Sequence, residues 1–308
     1  MHLLIPFAAP LSEAGRAAAA SLQLPHLQRL LASWSEVRRD EGDELSWTPP
    51  HERALAHALG WECGNGVLPW AARSARADGV AVGDQAWGLV TPVHWHLGTD
   101  QISMLDPEML MLDAATSRIF FDAVVDLFTS EGFVMQWGAP QRWYLADESL
   151  ATMATASLDR VIGRNVDAWL GDSPAMRRLR RLQNEVQMQL YTHPANDQRE
   201  SQGLLTVNSF WLSGCGIAQA VTGPEPQVDE RLRGPALADD WAAWVKAWET
   251  LDEGPLAHLL REPIGAARLT LCGERSSASF EPVERPVVQR LRAWWRTAPS
   301  PQSLLETL

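Results

Sequence analysis

Residues 191–216 read YTHPANDQRESQGLLTVNSFWLSGCG and gather a histidine, two asparagines, an arginine and three glycines with little that could build a core. Each residue type suits an anion. The Arg199 guanidinium can fork onto a phosphate or carboxylate. Asn196 and Asn208 carry amide donors, and a histidine such as His193 can titrate near neutrality. Gly214-Cys215-Gly216 follows an apolar run, where successive main-chain N–H groups can cradle negative charge. The stretch therefore predicts a small-anion site made by His193, Asn196, Arg199, Asn208, Gly214 and Gly216. The competing reading is that these groups cap a helix end and tie loops together, with Arg199 a buried strut paired to Glu185 or Asp197.

Other motifs are weaker. His94 and His96 fall on one face of a strand, but two imidazoles do not make a metal site. The chain lacks G-x-x-x-x-G-K-[ST], G-x-G-x-x-G and G-x-S-x-G, so neither a nucleotide-phosphate loop nor a serine-hydrolase elbow is expected.

Strands and helices alternate around these residues. HLLIPFAA reads as a first strand and LPHLQRLLASW as an amphipathic helix opened by proline. HERALAHALG is a helix stopped by Gly60. AWGLVTPVHWHLG alternates as a strand should. Asp113 caps a helix that runs to Gly132, and GFVMQW and QRWYLA can pair across GAP. A long helix ends near His193-Pro194, and LLTVNSFWLSG and ARLTLCG read as strands buried on both faces. DDWAAWVKAWETLDEGPLAHLL and PVVQRLRAWWRT complete the helices. This alternation predicts an α/β fold with a mainly parallel sheet. Residues 1–85 and 190–308 are expected to form the core, and 86–189 an inserted small α+β lobe with connecting helices.

Composition narrows the function. Lysine and arginine number 26 against 38 acidic residues, a net charge of −12, which disfavours nucleic acid as a partner. The basic run Arg177, Arg178, Arg180, Arg181 reads as a solvated helix face or a docking patch for an acidic partner. No apolar stretch approaches membrane-span length, and the start reads as a strand instead of a signal peptide. Cys63, Cys215 and Cys272 are scattered, as in a reduced cytoplasmic protein. Among 15 tryptophans, Trp241, Trp244 and Trp248 share one helix face and read as core.

The opening stretch resembles a segment of the archaeal-type, cofactor-independent phosphoglycerate mutases of the alkaline phosphatase superfamily. Leu190, His193, Pro194, Asn196, Arg199, Gly203, Asn208, Gly214 and Gly216 match it at about the right spacing. LPHLQRLLASW, ERALAHALGWECGNGVLPWAA, SLDRVIGRNV and VKAWETLDEGPLAHLL are similar to further segments in the same order. The start and RLQNEVQMQLYTHPANDQR…VNSFWLSGCG look closer still to the bacterial RpfE-type regulatory proteins. The resemblance implies an alkaline-phosphatase-like sandwich and a ligand that is a small phosphorylated or carboxylate molecule.

The departures from the mutases imply loss of catalysis. Those enzymes place a metal-binding Asp after the first strand, a nucleophilic Ser before the short helix, and an Asp-His pair after a late strand. Here Phe7 or Ala8, a place near His51, and Gly273-Glu274 stand there. Phenylalanine cannot hold a hard cation, and a two-metal site needs carboxylates and imidazoles. The expectation is a regulatory or ligand-sensing protein with no metal and no cofactor. Two alternatives are a mutase or phosphatase with relocated ligands (His51, Glu52, Asp239, Asp240, Glu274) and a scaffold that binds a protein partner through a tryptophan-rich surface.

Overall fold

The structure is a computed structural model that describes residues 1–62, 64–263, 265–283 and 300–308. The helix expected over PVVQRLRAWWRT lies outside the described residues, as does Cys63. Eleven strands occur among the described residues: β1 (His2–Ile5), β2 (Trp34–Asp40), β3 (Ala86–Val93), β4 (Trp95–Leu97), β5 (Ile102–Met104), β6 (Val134–Ala139), β7 (Arg142–Ala146), β8 (Ser209–Ile217), β9 (Gln227–Val228), β10 (Arg268–Cys272) and β11 (Ser277–Pro282). The chain divides into two compact units, one of residues 1–45, 49–61 and 221–308, the other of 46–48 and 62–220.

The first unit holds a five-stranded sheet in the order β2-β11-β10-β1-β9. β1 runs parallel to β10 and β9, whereas β10–β11 and β11–β2 are antiparallel. The sheet is thus mixed, not mainly parallel as expected. Residues 273–276 are the reason: a link that short can only return the chain antiparallel. β2, Trp34–Asp40, was hidden because it is mostly solvated and follows a helix directly.

Side-chain alternation gives this sheet two unlike faces. Leu3, Ile5, Leu269, Leu271, Ala278 and Phe280 point into an apolar core. Helices Pro25–Ser33 and Trp241–Leu251 complete that core with Leu27, Leu30, Trp244 and Trp248. The other face carries His2, Arg268, Thr270, Ser277, Ser279 and Glu281 beneath helix Pro50–Leu59. Strand 268–272 is buried as expected, but one of its sides carries the polar Arg268 and Thr270.

The second unit is built on a sheet in the order β6-β7-β3-β8, antiparallel throughout. On one face Val90, Trp143, Leu145, Phe210 and Leu212 pack with Phe120, Val124 and Leu182, from helices Ala114–Ser130 and Pro174–Tyr191. On the other, Trp87, Tyr144 and Ala146 pack with Ala71, Ala72 and Ala75 of helix Trp70–Ala77. The sequence reading put 190–220 and 62–85 with the first unit; the observed division puts them with residues 86–189. The register explains it, because β8 finds its partner in β3, from Ala86↔Ile217 to Val93↔Ser209. Among the described residues no helix is long and apolar enough to cross a membrane.

Candidate functional site

Helix Pro174–Tyr191 stops where Pro194 makes helical backbone unfavourable at His193. His193 becomes the N-cap of the next helix, Pro194–Ser201. Its Nδ1 accepts the Ala195 N–H at 3.2 Å, and its ring lies 5.6 Å from that of Phe120.

The other polar side chains of the segment turn to main chain. Asn196 is 4 % exposed; its amide donates to Leu190 O at 2.9 Å and Val207 O at 2.8 Å, and accepts the Val207 N–H at 2.9 Å. Arg199, also 4 % exposed, donates from Nε to Leu205 O at 2.7 Å and from Nη2 to Leu110 O. Neither Glu185 nor Asp197 is its partner in these bonds. Burial holds the Arg199 guanidinium below its ordinary pKa, with Asp113 pulling the other way. Asn208 pairs with Trp95 as a strand would, accepting its N–H at 2.7 Å and donating to its carbonyl at 2.9 Å. His94 bonds Thr206 O through Nδ1 at 2.8 Å. These contacts satisfy an irregular connection whose main chain has no ladder of its own.

Gly214 and Gly216 serve a different purpose. Their φ values are +65° and +150°, and a Cβ on Gly214 would lie 3.0 Å from Ala71 N and from Trp70 Cβ. A Cβ on Gly216 would lie 3.2 Å from Pro69 Cβ. Both admit the start of helix 70–77 against β8. Gly214 lies six positions beyond Asn208 along the chain, roughly 20 Å at strand rise. The predicted six residues therefore do not meet at one point.

Phe7, His51, Gly273 and Glu274 lie at the end of the five-stranded sheet. Phe7 follows β1 in left-handed backbone, φ +55°, a conformation that costs a non-glycine residue about 1–2 kcal/mol. Trp244 Nε1 donates to its carbonyl at 3.0 Å, and its ring lies 5.3 Å from that of His51. Glu274 accepts the Leu11 N–H at 2.9 Å. Leu308 O accepts the N–H groups of Arg275 at 3.1 Å and Ser276 at 2.8 Å. A Cβ on Gly273 would stand 2.6 Å from the Leu308 main chain. Leu308 backbone thus fills the space beside Gly273. We expect Gly273→Ala to lower stability by about 1–3 kcal/mol, the usual cost of overpacking. An unchanged urea midpoint would show that the 300–308 segment yields freely.

The proposed relocated ligands do not assemble. Asp240 caps helix 241–251, accepting the Ala243 N–H at 3.0 Å. Among the described residues no three His, Cys, Asp or Glu side chains stand close enough to share an ion. A benzyl ring on an imidazole and a carboxylate bonded to main chain do not fit a pair of divalent cations. Of the 13 described tryptophans, eight are buried and five partly buried, and none is exposed. The closure by Leu308 and the main-chain use of Arg199 were invisible to sequence reasoning, since both depend on distant segments.

No family model matches this chain, and no curated protein matches it. Among solved structures it is similar to a cofactor-independent phosphoglycerate mutase from Thermoplasma acidophilum, at 13% identity and TM-score 0.37, over 91% of this chain and 88% of that one. It is also similar to a Pyrococcus horikoshii protein, at 12% identity and TM-score 0.45, over 91% of this chain and 86% of that one.

Proposed function

We propose that this chain is a non-catalytic, alkaline-phosphatase-like relative of the cofactor-independent phosphoglycerate mutases. It acts as an RpfE-type regulatory or ligand-sensing protein and holds a small anion without turning it over. One observation carries the non-catalytic reading. The strand end where those enzymes would place a nucleophile and metal ligands is occupied by the protein itself, through Phe7 on His51 and Leu308 on Gly273. The anion reading is supported by the resemblance of the 190–216 segment. Asn196, Arg199 and Asn208 are committed to main chain, so the resemblance supports an anion ligand for the fold without seating it on those side chains. A reducing, cytoplasmic setting agrees with Cys215 and Cys272, which are buried and unlinked. Burial also pushes the Cys215 thiol up to about 12, which suppresses its reactivity.

The purified protein, supplied with Mn²⁺ or Zn²⁺, is expected to leave 3-phosphoglycerate and a chromogenic phosphate ester unchanged. EDTA-sensitive turnover of either would sink the non-catalytic reading and favour the relocated-ligand enzyme. The tryptophan-surface reading has less support, since none of the described indoles is exposed.

A further inference from the structure

The polar face of the five-stranded sheet lines a half-open pocket of about 270 Å³ beneath helix 50–59, with Val37 and Arg38 exposed at its rim. Small residues on that helix, Ala54 and Ala58, leave the room. The floor is a row set by strand register: Arg38 faces Ser279, and Ser279 faces Thr270. The hydroxyls are linked, Thr270 Oγ1 to Ser279 Oγ at 2.8 Å, and His2 Nε2 to Thr270 Oγ1 at 2.9 Å. Arg38 Nη1 donates to His57 Nε2 at 2.7 Å, which spends one of its five N–H groups. Arg268 sits two residues before Thr270 on the same face and is paired with Glu281 through Nε at 2.6 Å and through Nη2, which leaves its Nη1 and outer N–H groups for another partner. Two guanidinium groups thus face one carboxylate on the walls.

The imidazoles report the same field. Burial, then Arg268, holds His2 down to about 4, although Glu281 pulls the other way. Burial, then Arg38 and Arg268, lowers His57, against Asp40. The Arg38 and Arg268 contributions favour an anion here, whereas burial, the larger cause, opposes a charge of either sign. Among the described residues no Phe, Tyr or Trp lines the space.

We propose that this pocket binds a small oxyanion, a phosphorylated or carboxylated molecule, held between Arg38 and Arg268 with the Thr270 and Ser279 hydroxyls beneath it. The assignment rests on the anion-holding reading above and gives that ligand a place. Arg38 and Thr270 lie two strands apart, roughly 10 Å, which suits a molecule of a few carbons with acidic ends. Guanidinium forks and hydroxyl donors bind phosphate and carboxylate alike, so the probes must separate them.

Isothermal titration with inorganic phosphate, 3-phosphoglycerate and succinate tests it on the wild type, Arg38→Ala and Arg268→Ala. At least one probe is expected to bind the wild type saturably, with affinity tenfold or more weaker in both variants. Wild-type affinity in both variants would overturn the pocket while leaving the anion reading intact. No binding of any probe to the wild type would overturn both. Imidazole NMR signals serve as a readout that needs no variant. The bound anion should move the His2 and His57 resonances and raise their pKa values. Saturable heat with both imidazoles unmoved would place the anion elsewhere.

Discussion

Arg199→Ala is expected to destabilise the second unit by about 3–5 kcal/mol, read as a lowered urea midpoint. The guanidinium is buried and donates to two main-chain carbonyls, Leu205 O and Leu110 O. A hydrogen bond from a charged group contributes about 1.5–3 kcal/mol, and a buried acceptor left alone pays its full desolvation cost. Truncation orphans both carbonyls and empties the space of a long side chain. Arg199→Lys should rescue little, because one ammonium on a flexible stem cannot reproduce the planar fork. The contacts also join helix 194–201 to the loop after Pro107–Leu110, so hydrogen exchange should quicken in both places. A variant as stable as wild type that had instead lost anion affinity would restore Arg199 to the ligand site.

Asp252→Ala should cost the first unit a comparable amount, about 3–5 kcal/mol. Asp252 is 1 % exposed, and its carboxylate accepts Leu27 N–H at 2.8 Å and His26 N–H at 3.0 Å. Its Oδ2 also lies 2.9 Å from His26 Nδ1. Helix 25–33 opens on Pro25 after Leu24 and has no side-chain cap of its own. A carboxylate from the distant 252–256 turn does that work, satisfying two orphan N–H groups and opposing the positive end of the helix dipole. That turn is a π-helix containing Pro255, where the missing N–H relaxes the regular ladder. Asp252→Asn keeps one acceptor oxygen and should lose about half as much. Equal midpoints for Asp252→Ala and wild type would remove the carboxylate from the stability of this core.

Much of the local structure was legible from residue type. Asp113 caps helix 114–130 by accepting the Thr116 N–H at 2.7 Å. Gly60 ends its helix with φ +77°. GFVMQW and QRWYLA pair across GAP, with Trp137 opposite Trp143. The Trp244–Trp248 stripe is core. Such features depend on contacts within a few positions, where period, capping and turn chemistry act directly. The strand predicted over 86–97 breaks at His94, between β3 and β4. Its alternation continued unbroken, and only the bonds from Thr206 and Asn208 mark the interruption.

The pairing of distant segments was decided in three dimensions. An apolar run such as SFWLSGCGI is compatible with a parallel or an antiparallel neighbour, and β3 became its partner because both flanking helices bury their stripes there. Polar side chains posed the same problem more sharply. His193, Asn196, Arg199 and Asn208 have the chemistry to hold an anion, yet a buried carbonyl competes for the same donors, and the fold brought carbonyls to Asn196, Arg199 and Asn208. His2, Arg38, Thr270 and Ser279 carry no motif and are scattered along the chain, but the register of β1, β10, β11 and β2 lines them around one pocket. Residue type determined what each side chain could bind. Strand register, which no local pattern encodes, determined which partners came within reach.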